Sequence, residues 1–415
     1  MADIDLTQEM LRTYYAELPA YTEMERYYNG DHDIKYFSMA REGCCNQIIV
    51  ENYIAKFVDE EVNYALGNPV SYISKAGNPD IINAIDTYLN HWRTNHNSML
   101  MRDFEIYGKV YCLHYIDAKG RFSERILNPT NGICYTDPDG VPVRFIHLYK
   151  RQYDNSQYYD VYYPDSTIEI YRDNTLIQTR KHPFKGVPVS VCEMDNIHDT
   201  IFYKIRLLQD SYNKLLSDQA SIIGDYRNAY LIVTGVAVNE EVNERLRKYG
   251  LLDLPSNGKA EWLMKEMNAS YIENMITTIR NSMFSVCNHI DGNEKLQSNT
   301  SSLAIRSRLV FLEQRSRAMY DYISDAIYDR IERLFEYLAY KGLSFDIKDI
   351  KLNFTPNIPV DLTTTVQAIS QLGDKISTET ALSLLPFVEN PLQEIEKIKK
   401  ERAELEEIDL DKIGV

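Results

Sequence analysis

The sequence contains no long hydrophobic run, and it has few cysteines, glycines and prolines. No run approaches the roughly 18 apolar residues of a membrane-spanning helix, so none is predicted. The segment Met1–Asp5 is acidic and lacks an apolar core. We therefore expect no secretory signal and a protein that stays where it is made. With 44% hydrophobic residues, 17 Gly and 14 Pro among 415 residues, the composition excludes disordered and collagen-like chains.

Positive charge is scarce. The 45 Lys and Arg residues face 61 Asp and Glu residues, which gives a net charge of −16, and the isoelectric point is about 5.1. Proteins that grip duplex DNA through its phosphates normally carry the opposite balance. If DNA is a partner of this chain, it must be held loosely or allowed to pass.

The six cysteines are scattered and have neither disulfide-scaffold nor zinc-site spacing. This pattern favours buried free thiols in a reducing environment. The chain length favours two or three packed units. The cysteines are Cys44, Cys45, Cys112, Cys134, Cys192 and Cys287.

Motifs of catalysis are missing. The Gly-Lys pairs at 108–109 and 258–259 lack the upstream glycine and the following hydroxyl residue of a phosphate loop. The eight histidines are dispersed, and His91 and His96 are too far apart to ligate one metal from one helical face. Asp31-His32-Asp33 resembles a metal site most, but such a turn more often faces water. We predict that the protein is not an enzyme and has no metal or cofactor.

Hydrophobic periodicity predicts a helical first third followed by strands. Helices are expected over Leu6–Leu18, Ile48–Leu66 and Pro79–Gly108. From Lys109 to Glu193, short strands such as Lys109–Ile116 and Val143–Lys150 alternate with Asp-, Asn-, Pro- and Gly-rich turns, which predicts an antiparallel β unit.

A long helix is predicted from about Asp199 to Tyr226, with apolar residues in alternating steps of four and three. The stripe fits either an internal core helix or a contact with a neighbouring subunit. A second amphipathic helix ends near Ile290. The residues predicted for a subunit contact on these two helices are Leu208, Tyr212, Leu215, Gln219, Ile279 and Met283.

The same pattern predicts two further segments. Val233–Met264 is a compact mixed segment with a short helix near Glu240–Tyr249. Its basic cluster of Arg245, Arg247 and Lys248 is either a solvated helix face or a docking site for an acidic partner. The aperiodic stretch from Asp291 to Ser302 is predicted to be an exposed loop, followed by a very long helix.

Five stretches carry a resemblance to a known family: Tyr27–Ile34, Asn46–Tyr72, Leu208–Ser217, Ser301–Arg317 and Phe354–Pro391. Each motif alone is weak, but the ordered set is specific and spans nearly the whole chain. In this order, the stretches resemble the portal proteins (head–tail connectors) of tailed bacteriophages, in the branch common among long-tailed phages of Gram-positive bacteria.

The resemblance implies a mainly α, α+β portal-type fold with long stem helices, an antiparallel β unit in the wing and a small α/β clip. It also implies a ring of about twelve copies at one capsid vertex. The implied regions are a wing (1–198), a stem helix (199–232), a clip (233–267), a second stem helix (268–290), a tunnel loop (291–302), a long wing helix (303–344) and a crown (345–415).

The resemblance further implies that double-stranded DNA passes through the ring without sequence specificity. The other implied partners are the terminase, a head-completion adaptor, the scaffold and the major capsid protein. The protein is expected in the virion after assembly in the host bacterial cytoplasm. The tunnel-loop residues expected to face DNA are Asn293, Lys295, Gln297 and Asn299. Lys295 could instead cap a helix end or pair with Glu294.

Two other classes of function stay open. One is a different ring-forming viral structural or adaptor protein, and the other is a cytoplasmic enzyme that acts on polymers through the tyrosine-rich β unit. The native mass separates the ring-forming proteins from the enzyme, because only the ring-forming proteins give an assembly of many protomers.

Overall fold

The computed structural model describes most of the chain as a mixture of helix and sheet. Two compact units are present. Unit 1 comprises Met1–Thr22, Val58–Thr200 and Ile290–Val415, and unit 2 comprises Glu23–Phe57 and Ile201–His289. The residues described are 2–37, 45–226, 230–234, 258–263, 269–291, 302–357, 362–385, 393–401 and the single positions 240, 244, 248, 388 and 391.

Helices begin and end at recognisable signals. Asn78 caps one of them through its side chain, with Pro79 at the first position, and Gly108 closes another in the left-handed conformation at φ 69°. The helices are α1 (Ala2–Tyr28), α2 (Tyr53–Leu66), α3 (Pro79–Leu89), α4 (His96–Tyr107), α5 (Ile201–Tyr226), α6 (Ala269–Val286), α7 (Ser302–Ala339), α8 (Leu362–Leu372) and α9 (Thr378–Ser383).

All paired strands are antiparallel. The strands are β1 (Ser71–Ser74), β2 (Lys109–Ile116), β3 (Phe122–Leu127), β4 (Gly132–Thr136), β5 (Pro142–Lys150), β6 (Gln157–Tyr162), β7 (Thr167–Arg172), β8 (Thr175–Lys181), β9 (Val189–Glu193), β10 (Tyr230–Thr234), β11 (Lys259–Leu263) and β12 (Ile350–Asn353). They form a five-stranded sheet β4-β5-β6-β7-β8, a three-stranded sheet β3-β2-β9 and the pairs β1-β12 and β10-β11.

The five-stranded sheet is covered on both faces within unit 1. On one face, Ile146, Tyr159 and Val161 pack against Met10 and other apolar residues of α1. The opposite face packs against β2 and its neighbour β9 through a second buried cluster. That cluster comprises Tyr111, Leu113, Leu127, Phe145, Tyr162, Ile168, Ile170, Val187 and Val189.

The predicted strands are confirmed, but they form two sheets rather than one β unit. Two predicted helices are corrected. The helix expected over 48–66 begins only at Tyr53, and the one expected over 79–108 is interrupted between Leu89 and His96. In that interruption the Trp92 ring stacks on Phe122 at 5.9 Å. A contact with a distant residue therefore overrides the local helical pattern.

Candidate functional site

Helices α5 and α6 of unit 2 pack against each other around an aromatic cluster. Tyr53 and Tyr212 meet edge to face at 5.4 Å between ring centroids, and Phe57 meets Phe284 in the same way at 5.0 Å. His289 stacks on Phe57 at 4.3 Å. Edge-to-face and stacked pairs of this kind add to the stability that burial provides. The two helices are therefore fixed to each other by packing inside one protomer.

The other buried face of α5 is polar, and it holds an extended segment of the chain. The side chains of Gln209, Asn213, Ser217 and Ser221 lie one turn apart on α5 and are all buried. They accept hydrogen bonds from the backbone N–H groups of residues 53, 51, 49 and 47, in that order, at 2.8 to 3.1 Å. We call these four bonds the α5 ladder.

The ladder works because two periodicities agree. Four residues of helix advance about 6 Å, and two residues of extended chain advance about 6.7 Å. Each polar side chain of α5 therefore meets every second residue of the extended segment. Gln209 also donates to the Glu51 carbonyl at 2.6 Å, so one side chain satisfies a donor and an acceptor. Sequence reasoning missed this face because it followed only apolar spacing.

The six residues predicted for a subunit contact lie on these helices, but none is fully exposed. Tyr212 and Met283 are buried within the protomer. Leu208, Leu215, Gln219 and Ile279 are half-buried. The strongly exposed apolar side chains of α5 and α6 are different ones: Leu207 is 79% exposed, Tyr271 63% and Ile223 62%.

The remaining predicted site residues lie mostly outside the described part of the chain. This holds for Arg245 and Arg247 of the basic cluster and for all four loop residues, Asn293, Lys295, Gln297 and Asn299. Lys248 is described, and it is helical and exposed. The strands that flank the basic cluster, β10 and β11, pair from Tyr230 with Leu263 to Thr234 with Lys259.

His32 does not face water, which corrects the sequence expectation for the Asp31–Asp33 turn. Its ring is fully buried, stacks on Tyr27 at 4.7 Å and lies 2.8 Å from the Asn213 amide nitrogen. Burial lowers the pKa of His32, which favours a neutral imidazole. The histidine joins α5 to the end of α1 within unit 2. Across the described residues, no group of three or more His, Cys, Asp and Glu side chains is placed to hold a metal.

Helix α7 carries a half-buried Arg315 between two buried carboxylates of unit 1. Its Nε lies 3.1 Å from Glu61 Oε2, and its Nη2 lies 2.9 Å from Glu105 Oε2. Burial and the neighbouring Glu61 raise the pKa of Glu105 well above its ordinary value. The raised pKa favours the protonated form of Glu105.

Another arginine of α7, Arg330, is fully buried and is balanced one to one. It donates to both oxygens of Glu124, from Nε at 2.9 Å and from Nη2 at 2.7 Å. Burial alone would raise the pKa of Glu124, but the charge of Arg330 and hydrogen bonds from His114 and His96 hold it well below its ordinary value. Arg315 and Arg330 interrupt the apolar face of α7, and that interruption is the sequence signal that could have revealed both clusters.

Unit 1 also contains a cavity of about 110 Å³ lined by Tyr14, Tyr21, Lys109, Tyr111 and Cys134, among others. Pockets for small organic ligands usually measure about 300 Å³ or more. The five described cysteines form no disulfide bonds with one another. None of the described helices is long and apolar enough to cross a bilayer.

Comparison with known proteins gives one broad match. A family model described as "Phage portal protein, SPP1 Gp6-like" matches residues 9–407. No curated protein matches the sequence.

Solved structures give similarity at low sequence identity. The chain is similar to one in the neck of an empty GTA particle, with 11% identity, a TM-score of 0.50, and 80% of this chain and 89% of that chain covered. The chain is also similar to one in the virion of a native gene transfer agent particle, with 12% identity and a TM-score of 0.45. That similarity covers 80% of this chain and 88% of the other chain. The first similarity shows a shared fold.

Proposed function

The chain belongs to the SPP1 Gp6-like family of phage portal proteins, and from this membership we propose that about twelve copies form a ring at one vertex of a phage capsid. Double-stranded DNA passes through the ring during packaging and ejection, without sequence-specific contacts. The observation that carries the proposal is the family match, which spans nearly the whole chain and agrees with the portal-like order of its segments.

We assign the regions of a portal to this chain as follows. Helix α5 and helix α6 lie in the two stem segments, 199–232 and 268–290. The β10–β11 pair flanks the clip, 233–267, and the tunnel loop, 291–302, precedes the long wing helix, 303–344, which contains most of α7. Residues 1–198 are the wing, and 345–415 are the crown. The packing of α5 on α6 and the strand pairing between them support this assignment.

The charges of helices α5 and α6 favour DNA that passes through the channel over DNA that is bound tightly. Helix α5 carries three acidic and three basic residues, and α6 carries one of each. The acidic surplus of the chain therefore lies outside these two helices. A stem without net positive charge releases few counterions from DNA and holds it weakly.

The partners follow from the same assignment. In the tunnel loop, Asn293, Lys295, Gln297 and Asn299 touch the DNA backbone, with Lys295 as the single cation. In the clip, Arg245, Arg247 and Lys248 dock an acidic surface of the terminase and later of the head-completion adaptor. Scaffold and major capsid protein meet the ring during assembly in the host bacterial cytoplasm, and the protein ends in the virion. No step requires catalysis by this chain.

For the subunit contact, we propose the half-buried edge of the stem formed by Leu208, Leu215, Gln219 and Ile279. Tyr212 and Met283 support that edge from inside the protomer. We place the exposed apolar side chains of Leu207 and Ile223 at the margins of this contact.

Electron microscopy of the purified protein, together with its native mass, tests the proposal. We expect closed rings with an axial channel and a mass near twelve protomers. A monomer or dimer with hydrolytic activity on a polymer would contradict the proposal and favour the enzyme alternative. A ring that fails to bind terminase would favour a different viral adaptor.

A further inference from the structure

The extended segment from Gln47 to Tyr53 uses only one of its two backbone edges inside the protomer. The N–H groups of residues 47, 49, 51 and 53 all point to α5, where the α5 ladder holds them. The carbonyls of residues 47, 49 and 51 also accept from α5 side chains. This edge is therefore occupied.

The opposite edge is open. In extended chain, the backbone groups of successive residues point to opposite sides, so those of Asn46, Ile48 and Val50 point away from α5. Within the described part of the chain, no hydrogen bond reaches the backbone of these three residues. The neighbouring side chains are exposed and apolar, with Ile48 at 40% and Ile49 at 39%. We call residues 46–50 the open edge.

An open edge of this kind is a template for a β-strand, because main-chain groups in extended conformation pair with any extended chain. The ladder adds rigidity: four buried polar side chains hold the segment extended before a partner arrives. A preformed strand loses less conformational entropy on pairing than a flexible one.

We propose that the open edge of one copy pairs with a β-strand of a neighbouring copy in the ring. The inference rests on the proposed ring and adds a contact to it that stem-helix packing does not supply. In a closed ring, each copy must present two different complementary surfaces. The open edge is one of them.

Strand β8 fits the second complementary surface that each copy must present. It is the outermost strand of the five-stranded sheet, and all seven of its residues are exposed. Leu176 and Ile177 are 46% and 50% exposed, which gives apolar side chains to cover Ile48. The strand ends at Lys181, a cation that complements the exposed Glu51 beside the open edge. The occupant is therefore β8 of a second copy.

Residue-resolved hydrogen exchange tests the pairing. Unassembled and ring fractions of the full chain are separated on one sizing column, and amide exchange is read by mass spectrometry with electron-transfer fragmentation. We expect residues 47, 49, 51 and 53 to be protected in both fractions. Ile48 and Val50 should exchange at least about ten times more slowly in rings, as paired strand amides do. Equal rates for these two amides in both fractions overturn the inference.

A proline variant tests the contribution of the edge to assembly. Ile48→Pro removes one outward N–H while leaving every ladder bond in place, and Ile48→Ala is the control for the lost side chain. We expect Ile48→Pro to unfold at the temperature of Ile48→Ala but to give several-fold fewer rings. Equal ring yields overturn the inference. Absence of rings in the wild type would instead contradict the proposed function.

The occupant is tested by mixing two single variants, Ile48→Cys and Ile177→Cys, under oxidation. A covalent dimer with a mapped 48–177 disulfide is expected in the ring fraction. If cross-links from position 48 map to another protein or another strand, β8 is the wrong occupant. The unmixed variants provide the background from native thiols.

Discussion

At the scale of single residues, two arginines of α7 that pair with buried carboxylates differ in the number of carboxylates that they contact. Arg315 faces Glu61 and Glu105, whereas Arg330 faces Glu124 alone. The pKa of Glu105 is raised and that of Glu124 is lowered. The same substitution to glutamine should therefore have opposite effects at the two positions.

Glu105→Gln should stabilise unit 1 at pH 7. A carboxyl whose folded pKa lies above its unfolded value, about 4.3, destabilises the fold increasingly as pH rises from the unfolded pKa to the folded one. Glutamine removes that cost. It can still accept from Arg315, and its amide can donate to Glu61. We expect a gain on the order of 1–3 kcal/mol at pH 7, measured by thermal unfolding, that shrinks towards pH 4. A loss of stability at pH 7 would show that Glu105 is ionised.

Glu124→Gln is the matched control with the opposite sign. A carboxyl whose folded pKa lies below its unfolded value stabilises the fold above the unfolded pKa, and this stability is lost as pH falls through the folded pKa. The variant leaves Arg330 buried without a counter-charge, which costs about 3–5 kcal/mol. Its deficit should be largest at pH 7 and smaller in acid. A deficit independent of pH would indicate lost packing instead.

At the scale of elements, the sequence predicts strands better than helix boundaries. Strand β2 was predicted over its observed range, Lys109–Ile116, because alternation and flanking turn residues act locally. The start of α2 at Tyr53 was not predictable, because residues 47–51 are held extended by side chains more than 150 positions later. Polar residues on α5 recur every four positions, and this spacing indicates a polar face that can bind an extended segment. Apolar patterns alone do not reveal that face. The residues are Gln209, Asn213, Ser217 and Ser221.

Of the candidate site, the sequence predicted helices α5 and α6 but not which of their faces is free. The spacing of Tyr212 and Met283 fits a stripe that meets another helix, and the structure buries both side chains inside the protomer. Leu207 was outside that stripe and is 79% exposed. Periodicity identifies a buried face, but it cannot say whether the same chain or another copy covers it.

Two substitutions on α5 test the subunit contact at this scale. Gln219→Lys and Leu207→Lys each place a cation in the proposed interface, where an unpaired charge is costly. We expect both variants to lower ring yield on a sizing column. Leu207→Lys should leave the unfolding temperature unchanged, since Leu207 contributes little to the protomer core. Wild-type ring yield in both variants would place the contact on another surface.

At the scale of the whole molecule, the net charge of −16 makes each local cluster of cations significant. Arg245, Arg247 and Lys248 provide three positive charges within four positions of the segment that we propose as the clip. Opposite potentials steer encounter between surfaces. Replacing all three by Glu should leave rings intact in electron micrographs and abolish binding to terminase or adaptor in a pull-down. A variant that packages DNA normally would show that partners dock elsewhere.

The segment that we propose as the tunnel loop contains one cation, Lys295, between Asp291 and Ser302. In the proposed ring, one Lys295 per subunit would form a sparse girdle of positive charge around the axis. So few phosphate contacts would not bind DNA tightly, but we expect them to slow its escape. Lys295→Glu should permit assembly and lower the retention of packaged DNA, most strongly at low salt, where the Debye length reaches about 30 Å at 0.01 M.

The measurement is DNA retained in heads across a salt series, with Lys295→Gln as the control that removes charge without reversing it. The order of retention should be Lys above Gln above Glu, and the differences should converge as salt rises. Identical retention at low salt would leave the alternative in which Lys295 pairs with Glu294 or caps the preceding helix.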